Sequence, residues 1–366
     1  MEEREYLVIL NLVRGLGPAR IRNLMAHFGS AAEIFRRPAP DLSRVPGIGA
    51  HLSRAIRRWE ELDYAEEFRL IEKLGLEVLT VFDPGYPANL KEIYDPPVVL
   101  YLKGSLIPED RPALAVVGSR RASRYGLQAA RKLAADIAAR GFTVVSGLAR
   151  GIDTEAHRGA LAASCRTLAV LGSGLGNIYP GENRELAEEI ARSGAVISEF
   201  PVRAVPDRQN FPLRNRVVSG LSLGTVVVEA AERSGALITA RLAMEQGRAV
   251  MAVPGRIDSY SARGTNALIR DGAKMVSGIE DILGEFEYLF PELRPPSPEA
   301  PPASRRLENL SPGEKLVWEA LGEEEMSMED LLARTGLPSP SLSAALLSLE
   351  LKRLIKRLPG KVFIRS

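Results

Sequence analysis

Three short segments combine glycine, serine and arginine in a way that suits an anion. They are Gly118-Ser119-Arg120-Arg121, then Ser146-Gly147 with Arg150 close behind, then Gly172-Ser173-Gly174. Small residues let backbone amides approach a phosphate, hydroxyls add donors, and arginine brings a planar, permanently charged fork. A fourth segment, Gln209 to Arg216, sets Phe211 beside Arg214, Asn215 and Arg216, with Pro212 suited to a helix start. One ring beside two arginines is the minimal kit for single-stranded nucleic acid: a base stacks on the ring while the polar side chains take phosphates and base edges. The competing place for Phe211 is the core, with the arginines paired to acids. The expected contact set is Gly118, Ser119, Arg120, Arg121, Gly147, Arg150, Gly172, Ser173, Phe211, Arg214, Asn215 and Arg216.

Other chemistries find less support. The run Gly151 to His157 gathers Asp153, Glu155 and His157, but Asp153 suits an N-cap and Glu155 a first helical turn, so capping and packing are favoured over acid–base catalysis. No G-x-G-x-x-G opens the first helix and no G-x-x-x-x-G-K-[ST] occurs, which disfavours NAD and ATP. Residues 232–240, Glu232 to Ala240, form a second Gly turn leading into a helix that can line a phosphate pocket. The one cysteine, Cys165, approaches a strand, reads as core, and allows neither an internal disulfide nor a Cys-based zinc site. No cofactor, metal or catalytic residue is expected.

The elements that must hold these turns are legible from Leu114 onward. Short Val/Ala/Leu/Ile runs alternate with helical stretches near 125–140, 152–164, 183–193, 213–222 and 235–247. Near-continuous apolar runs fit parallel strands buried on both faces, so the central fold is read as a doubly wound α/β, Rossmann-like sheet. In such a sheet ligands sit beyond the carboxyl ends of the strands, where the glycine turns fall. Upstream, Gly15-Leu16-Gly17 and Gly47-Ile48-Gly49 are spaced by 32 residues, each between two helical stretches. This resembles the helix-hairpin-helix (SAM-like) module, whose turn amides can face a phosphate or can simply turn the chain. Residues 291–302 are half proline and read as a linker. Three helices and a hairpin around Pro359-Gly360 then give a winged-helix pattern. The third helix is read through to Leu358, with Lys352, Arg353, Lys356 and Arg357 on one side and Lys361 and Arg365 extending the strip. The predicted boundaries are 1–62 (helical), 63–288 (extended Rossmann-like), 289–304 (linker) and 305–366 (winged helix).

The chain of 366 residues is 45% hydrophobic and 26% charged, ordinary for globular domains and unlike collagen, disorder or a coiled-coil rod. A net charge of +2 hides an uneven distribution: residues 111–281 hold 23 basic against 16 acidic side chains, and only Lys132 and Lys274 of the basic ones are lysine. That balance fits a polyanion partner. No apolar run reaches the roughly 18–20 residues of a membrane span. The acidic opening lacks the basic start of a signal peptide, so a reducing cytoplasm is the expected compartment.

The central motifs, read in order, resemble the DprA (Smf) family of bacterial DNA-processing proteins. They are "AVVGSRRASRYG", "SGLARGIDTEAHRGAL", "TLAVLGSGLGNIYPGEN", "GAVISEFP", "NFPLRNRVVSGLS" and "VVVEAAERSGALITARLAMEQGR", preceded by "DPGYPANLKEIYDPPVVLYLKG". The resemblance spans some 200 central residues, and the flanking units fit a common three-part layout of that family. It implies a non-enzymatic single-stranded-DNA-binding protein that loads RecA on incoming DNA in natural transformation and opposes single-strand-binding protein. It also implies a homodimer through the Rossmann-like domain. The Gly-Ser-Arg turn carries over to Gly118, Ser119 and Arg120, and the Phe-Pro-x-Arg-Asn segment to Phe211, Arg214 and Asn215. The other class of function on a similar sheet is a nucleotide hydrolase or phosphoribohydrolase. Against it, the chain lacks a second acid near a Pro-Gly-Gly-x-Gly-Thr loop.

Overall fold

Both Gly-apolar-Gly turns of the amino-terminal repeat are built alike. Helix α1 (Glu3–Leu12) leads to α2 (Pro18–Phe28), and after the short α3 (Ala31–Arg36), α4 (Ala39–Leu42) leads to α5 (Ala50–Arg57). Gly15 and Gly47 take φ of +83° and +84°, a conformation that favours glycine, while Gly17 and Gly49 are the N-caps of α2 and α5. Between them Leu16 and Ile48 are buried and anchor each turn. The computed structural model describes residues 1–286, 310–321, 326–351, 354–358 and 362–365; the stretch read as a linker lies outside them.

The chain divides into two compact units, Met1–Arg294 and Pro295–Ser366. In the first, α6 (Tyr64–Lys73), β1 (Glu77–Thr80), α7 (Ala88–Lys91) and β2 (Val99–Gly104) precede the alternating core. That core runs β3 (Ala113–Val117), α8 (Arg124–Ala139), β4 (Thr143–Ser146), α9 (Ile152–Ala162), β5 (Thr167–Val170), α10 (Arg184–Ser193) and β6 (Ala195–Ser198). It continues with α11 (Asn210–Leu221), β7 (Gly224–Val227), α12 (Gly235–Glu245), β8 (Ala249–Ala252), α13 (Arg263–Arg270), β9 (Lys274–Met275) and α14 (Ile279–Phe286). The sheet order is β1-β2-β6-β5-β4-β3-β7-β8-β9, with β6 through β9 parallel to one another and β2 antiparallel to both β1 and β6.

Strand β3 shows why the apolar runs have no polar phase. Leu114 and Val116 pack into one apolar cluster with α8 and α9, while Ala113, Ala115 and Val117 face the other cluster, shared with α11 and the amino-terminal helices. A strand covered on both faces must be apolar at every position. The strand order reverses between β3 and β7, so the crevice of a doubly wound sheet opens there, beyond the carboxyl ends. Among the described residues no helix is long and apolar enough to cross a membrane.

The second unit comprises α15 (Pro312–Leu321), β10 (Met326–Ser327), α16 (Met328–Thr335), α17 (Ser339–Leu351), β11 (Ile355–Leu358) and β12 (Val362–Arg365). Its core holds Val317, Leu321, Leu331, Leu342, Leu346, Leu349 and Phe363. The third helix is shorter than its sequence suggests: it stops at Leu351, and Ile355–Leu358 pairs antiparallel with Val362–Arg365. Lys356 and Arg357 therefore lie on a strand and do not extend a helical face. Pairing with β12 gives the backbone its partners and buries Leu354 and Ile355, which outweighs the helical preference of a Leu/Lys/Arg run. Arg365 is engaged as well: it donates through Nη2 to the Trp318 carbonyl at 2.5 Å and lies 4.4 Å over the Trp318 ring. Lys352, Arg353, Lys361 and the Pro359-Gly360 turn lie outside the described residues.

Candidate nucleic-acid interface

A groove of about 990 Å³ opens over the carboxyl ends of β3, β4 and β7. Gly118, Ser119, Arg120, Arg121, Gly147, Phe211, Arg214 and Asn215 of the expected set line it, together with Tyr179, Arg208, Arg233, Ser234 and Tyr260. Arg120, Arg121, Arg208 and Arg233 are exposed, and the one acid in the lining, Asp153, is buried. The field in the groove is accordingly positive.

Several of the turn amides, those of Ser119, Ser123, Gly147 and Ala149, are taken by the protein's own carboxyl and carbonyl groups. Ser119 N–H donates to the Glu229 carbonyl at 2.7 Å. Ser123 caps α8, and the Glu229 carboxylate accepts from Ser123 N at 2.9 Å and Ser123 Oγ at 2.5 Å, so an internal anion fills the helix start. Asp153 Oδ2 likewise accepts from Gly147 N at 3.2 Å and Ala149 N at 3.4 Å. The N-cap of α9 is Gly151, so Asp153 acts on the loop before the helix and not as its cap. Glycine is required at these turns by close approach. A Cβ on Gly147 would lie 2.6 Å from Arg214 Nη2, and one on Gly172 would lie 2.7 Å from Phe211 Cδ1.

Phe211 is half-buried, with its ring over Gly172 and Tyr179 at a centroid distance of 5.9 Å. The Arg120 guanidinium lies 4.8 Å from the Phe211 centroid, on a ring that a base would need. Arg150 is exposed and holds Glu182 in a fork–fork pair, Nε–Oε1 2.5 Å and Nη2–Oε2 2.7 Å. Arg150, Tyr179 and Phe211 bound a smaller hollow that also includes Arg120 and Pro180.

Arg214 is buried at the groove floor. Its Nη1 donates to the Gly147 carbonyl at 2.6 Å and to the Val170 carbonyl, tying the ends of β4 and β5 together, and Nε donates to Asn215 Oδ1 at 3.2 Å. Burial pushes this guanidinium down to about 10, with the charge of Asp153 opposing the shift, so it stays protonated at neutral pH. Burial in turn raises the Asp153 carboxyl while Arg214 and the loop amides pull it back. Arg214 is thus a positioning residue.

Two members of the expected set lie elsewhere. Arg216 sits two residues beyond Arg214 on α11, roughly 200° around the helix. It is buried against the Glu199 carboxylate and the Asp95 carbonyl, the latter at 2.6 Å. Ser173 is 1% exposed and donates to the Asn177 carbonyl at 2.6 Å, which fixes its own loop. Arg233 and Ser234 belong to the 232–240 turn that the sequence marked as able to line a phosphate pocket, whereas Tyr179, Arg208 and Tyr260 line the groove without having been expected there. Of these Tyr179 carried a signal, an aromatic directly before Pro180-Gly181 in a loop.

The acidic trio is dispersed. Glu155 pairs with Arg158 at 2.8 Å on the surface, and His157 is fully buried. Thr167 Oγ1 donates to the Val144 carbonyl at 2.7 Å, so His157 Nδ1, 2.8 Å away, must be the donor to it, with Nε2 left unpartnered. Burial pushes this imidazole down to about 3. Its folded value lies below the unfolded value of about 6.5. As pH falls through 6.5 the unfolded chain therefore takes up a proton that the folded chain refuses, and stability is lost. Between pH 7 and 5 this loss should be about 2 kcal/mol. Denaturant melts at both pH values should show a slope that His157→Gln lacks; an unchanged slope in the variant would exclude His157 as its source. Cys165 Sγ contacts the Ala163 carbonyl at 3.2 Å. Among the described residues no cluster of His, Cys, Asp and Glu is placed to hold a metal ion.

This geometry has counterparts among known proteins. The family model for DNA recombination-mediator protein A matches residues 77–287, and the model for the DprA winged helix domain matches residues 298–361. Protein Smf of Synechocystis is 34% identical, over 99% of this chain and 99% of its own length. DNA processing protein DprA of Bacillus subtilis is 43% identical over 58% of this chain and 72% of its own. The crystal structure of DprA from Streptococcus pneumoniae superposes with a TM-score of 0.70 at 35% identity, covering 79% of this chain and 100% of that one. A structure of Helicobacter pylori DNA processing protein A, described for its single-stranded DNA binding mode, gives a TM-score of 0.52 at 30% identity over 58% of this chain and 95% of that one. With its central sheet and its winged helix matched separately and one relative aligned end to end, the chain belongs to the DprA (Smf) family of DNA-processing proteins.

Proposed function

We propose that this protein binds single-stranded DNA without catalysing a reaction on it, and that it acts as a cytoplasmic recombination mediator which loads RecA on incoming DNA during natural transformation. The observation that carries the reading is the groove itself. Exposed arginines surround an aromatic ring, while the backbone donors that would suit a small phosphate ligand are taken by Glu229 and Asp153. Backbone charge and base stacking together are what single strands require. The Helicobacter pylori relative, described as a single-stranded DNA binder, supports the choice of ligand. Association as a homodimer through the Rossmann-like domain, displacement of single-strand-binding protein and contact with RecA belong to the same proposal. The winged-helix unit is an accessory in it: the polar side chains at the start of α17, Ser339, Ser341 and Ser343, are short hydroxyls, with no long donor to read a duplex groove.

The test is a titration of fluorescent dT oligomers and of duplex of equal length over a salt series, alongside RecA filament assembly on strands covered by single-strand-binding protein. The single strand should bind more tightly than the duplex. Arg120→Ala should weaken binding across sequences and reduce the salt slope by about 0.7, the share of one single-strand phosphate contact. Equal affinity for duplex, or an Arg120→Ala slope identical to wild type in a folded variant, would place the strand elsewhere.

A further inference from the structure

The groove extends past the turns after β3, β4 and β5, and its far side has its own aromatic. Beyond the switch point, the segments after β7 and β8 bring Arg233 and Tyr260 into the lining. Tyr260 is 61% exposed, and Arg263 lies 5.7 Å over it. Arg263 also stands 4.0 Å from the exposed Glu232, a loose pair on a wet surface that leaves its charge available. Arg233 is exposed, and it forms no ion pair among the described residues. Phe211 lies over the end of β5, and Tyr260 follows β8. Those strands are four places apart in the sheet, a span of roughly 19 Å at about 4.8 Å per strand. Two aromatics, each with an arginine over its face, therefore stand on opposite sides of one positive groove.

We infer that Tyr260, with Arg233 and Arg263, forms a second base platform, so that one strand of DNA crosses the switch point and stacks a base at each side. This rests on the single-strand reading of the groove and adds the direction and length of the bound segment. A ring at each side makes a length requirement. Oligomers too short to span the sheet use Phe211 alone, and longer ones gain the Tyr260 stack.

The experiment uses the full chain with dT oligomers from about 2 to 16 nucleotides, so that the shortest cannot span the two rings and the longest reach the upper range of single-strand sites on comparable platforms. Tyr260→Ala should weaken the long oligomers roughly 5- to 100-fold, the worth of one base stack, and leave the shortest unchanged. Tyr260→Phe should keep wild-type affinity at every length, and Tyr260→Ala should melt as wild type does because the ring is mostly exposed. Equal loss at all lengths, or loss at none, would overturn the second platform while leaving the first intact. Absence of single-strand binding by the wild-type protein, or an Arg120→Ala variant whose salt slope equals that of wild type, would overturn the reading of the groove on which the platform rests.

Discussion

Arg214→Ala should lose about 3–5 kcal/mol of folding stability, the combined cost of two buried carbonyls left without their donor and of a buried carboxyl left without the positive charge that faces it. Two costs combine in that figure. Asp153 is left buried with only two amides to hold its charge, and the Gly147 and Val170 carbonyls lose their shared donor. Chemical denaturation measures the loss directly. A double variant, Arg214→Ala with Asp153→Ala, should be less destabilised than the sum of the two single changes, since each partner is costly mainly because the other remains. Single-strand affinity should fall only as far as the β4 and β5 turns lose their places. A variant that melts like wild type but no longer binds DNA would instead make Arg214 a direct ligand.

Phe211→Ala should show the opposite division. The ring rests on Gly172 and is half-exposed, so its removal should cost little stability and about 1–3 kcal/mol of single-strand binding. If the ring served the core, the loss would be about 3–5 kcal/mol of folding. Thermal melting and oligonucleotide titration of one sample separate the two. Arg120 complicates the reading in a useful way, because it covers the ring that a base must reach. In the proposed binding mode, truncating Arg120 would remove a phosphate contact and also uncover the ring. The effects of Arg120→Ala and Phe211→Ala should therefore be non-additive, and additive losses would mean that the two side chains act apart.

The central sheet was legible because its physics is local in sequence: a strand buried on both faces must be apolar throughout, and three of these runs lead straight into turns of glycine and serine. The site was legible as far as residue type allows. Arg120, Arg121 and Phe211 meet in one groove because they follow strand ends or begin a helix beside one. Arg216 and Ser173 are absent from it because a sequence displays donors without their acceptors. The acceptors of Arg216 are Asp95 and Glu199, one far upstream and one on a neighbouring loop, and only folding sets them on the side of α11 away from the groove. The same blindness hid the occupants of the turn amides. The overlong third helix of the winged unit had a different source: Leu, Lys and Arg suit helix or strand, and the pairing with β12 decided between them.

The Glu229 carboxylate at the start of α8 has a consequence for how this protein sits in metabolism. In related sheets the first helix start is where the pyrophosphate of a dinucleotide rests. Here a side chain of the chain itself occupies that position, with Gly126 leaving room for it. A tethered occupant needs no concentration to hold its place, whereas a free nucleotide would have to displace it and desolvate a second negative charge beside it. The crevice is thereby insulated from the cell's nucleotide pool. On the proposed single-strand reading, occupancy of the groove would follow the supply of strand and the ionic strength, without competition at the α8 start from a free nucleotide.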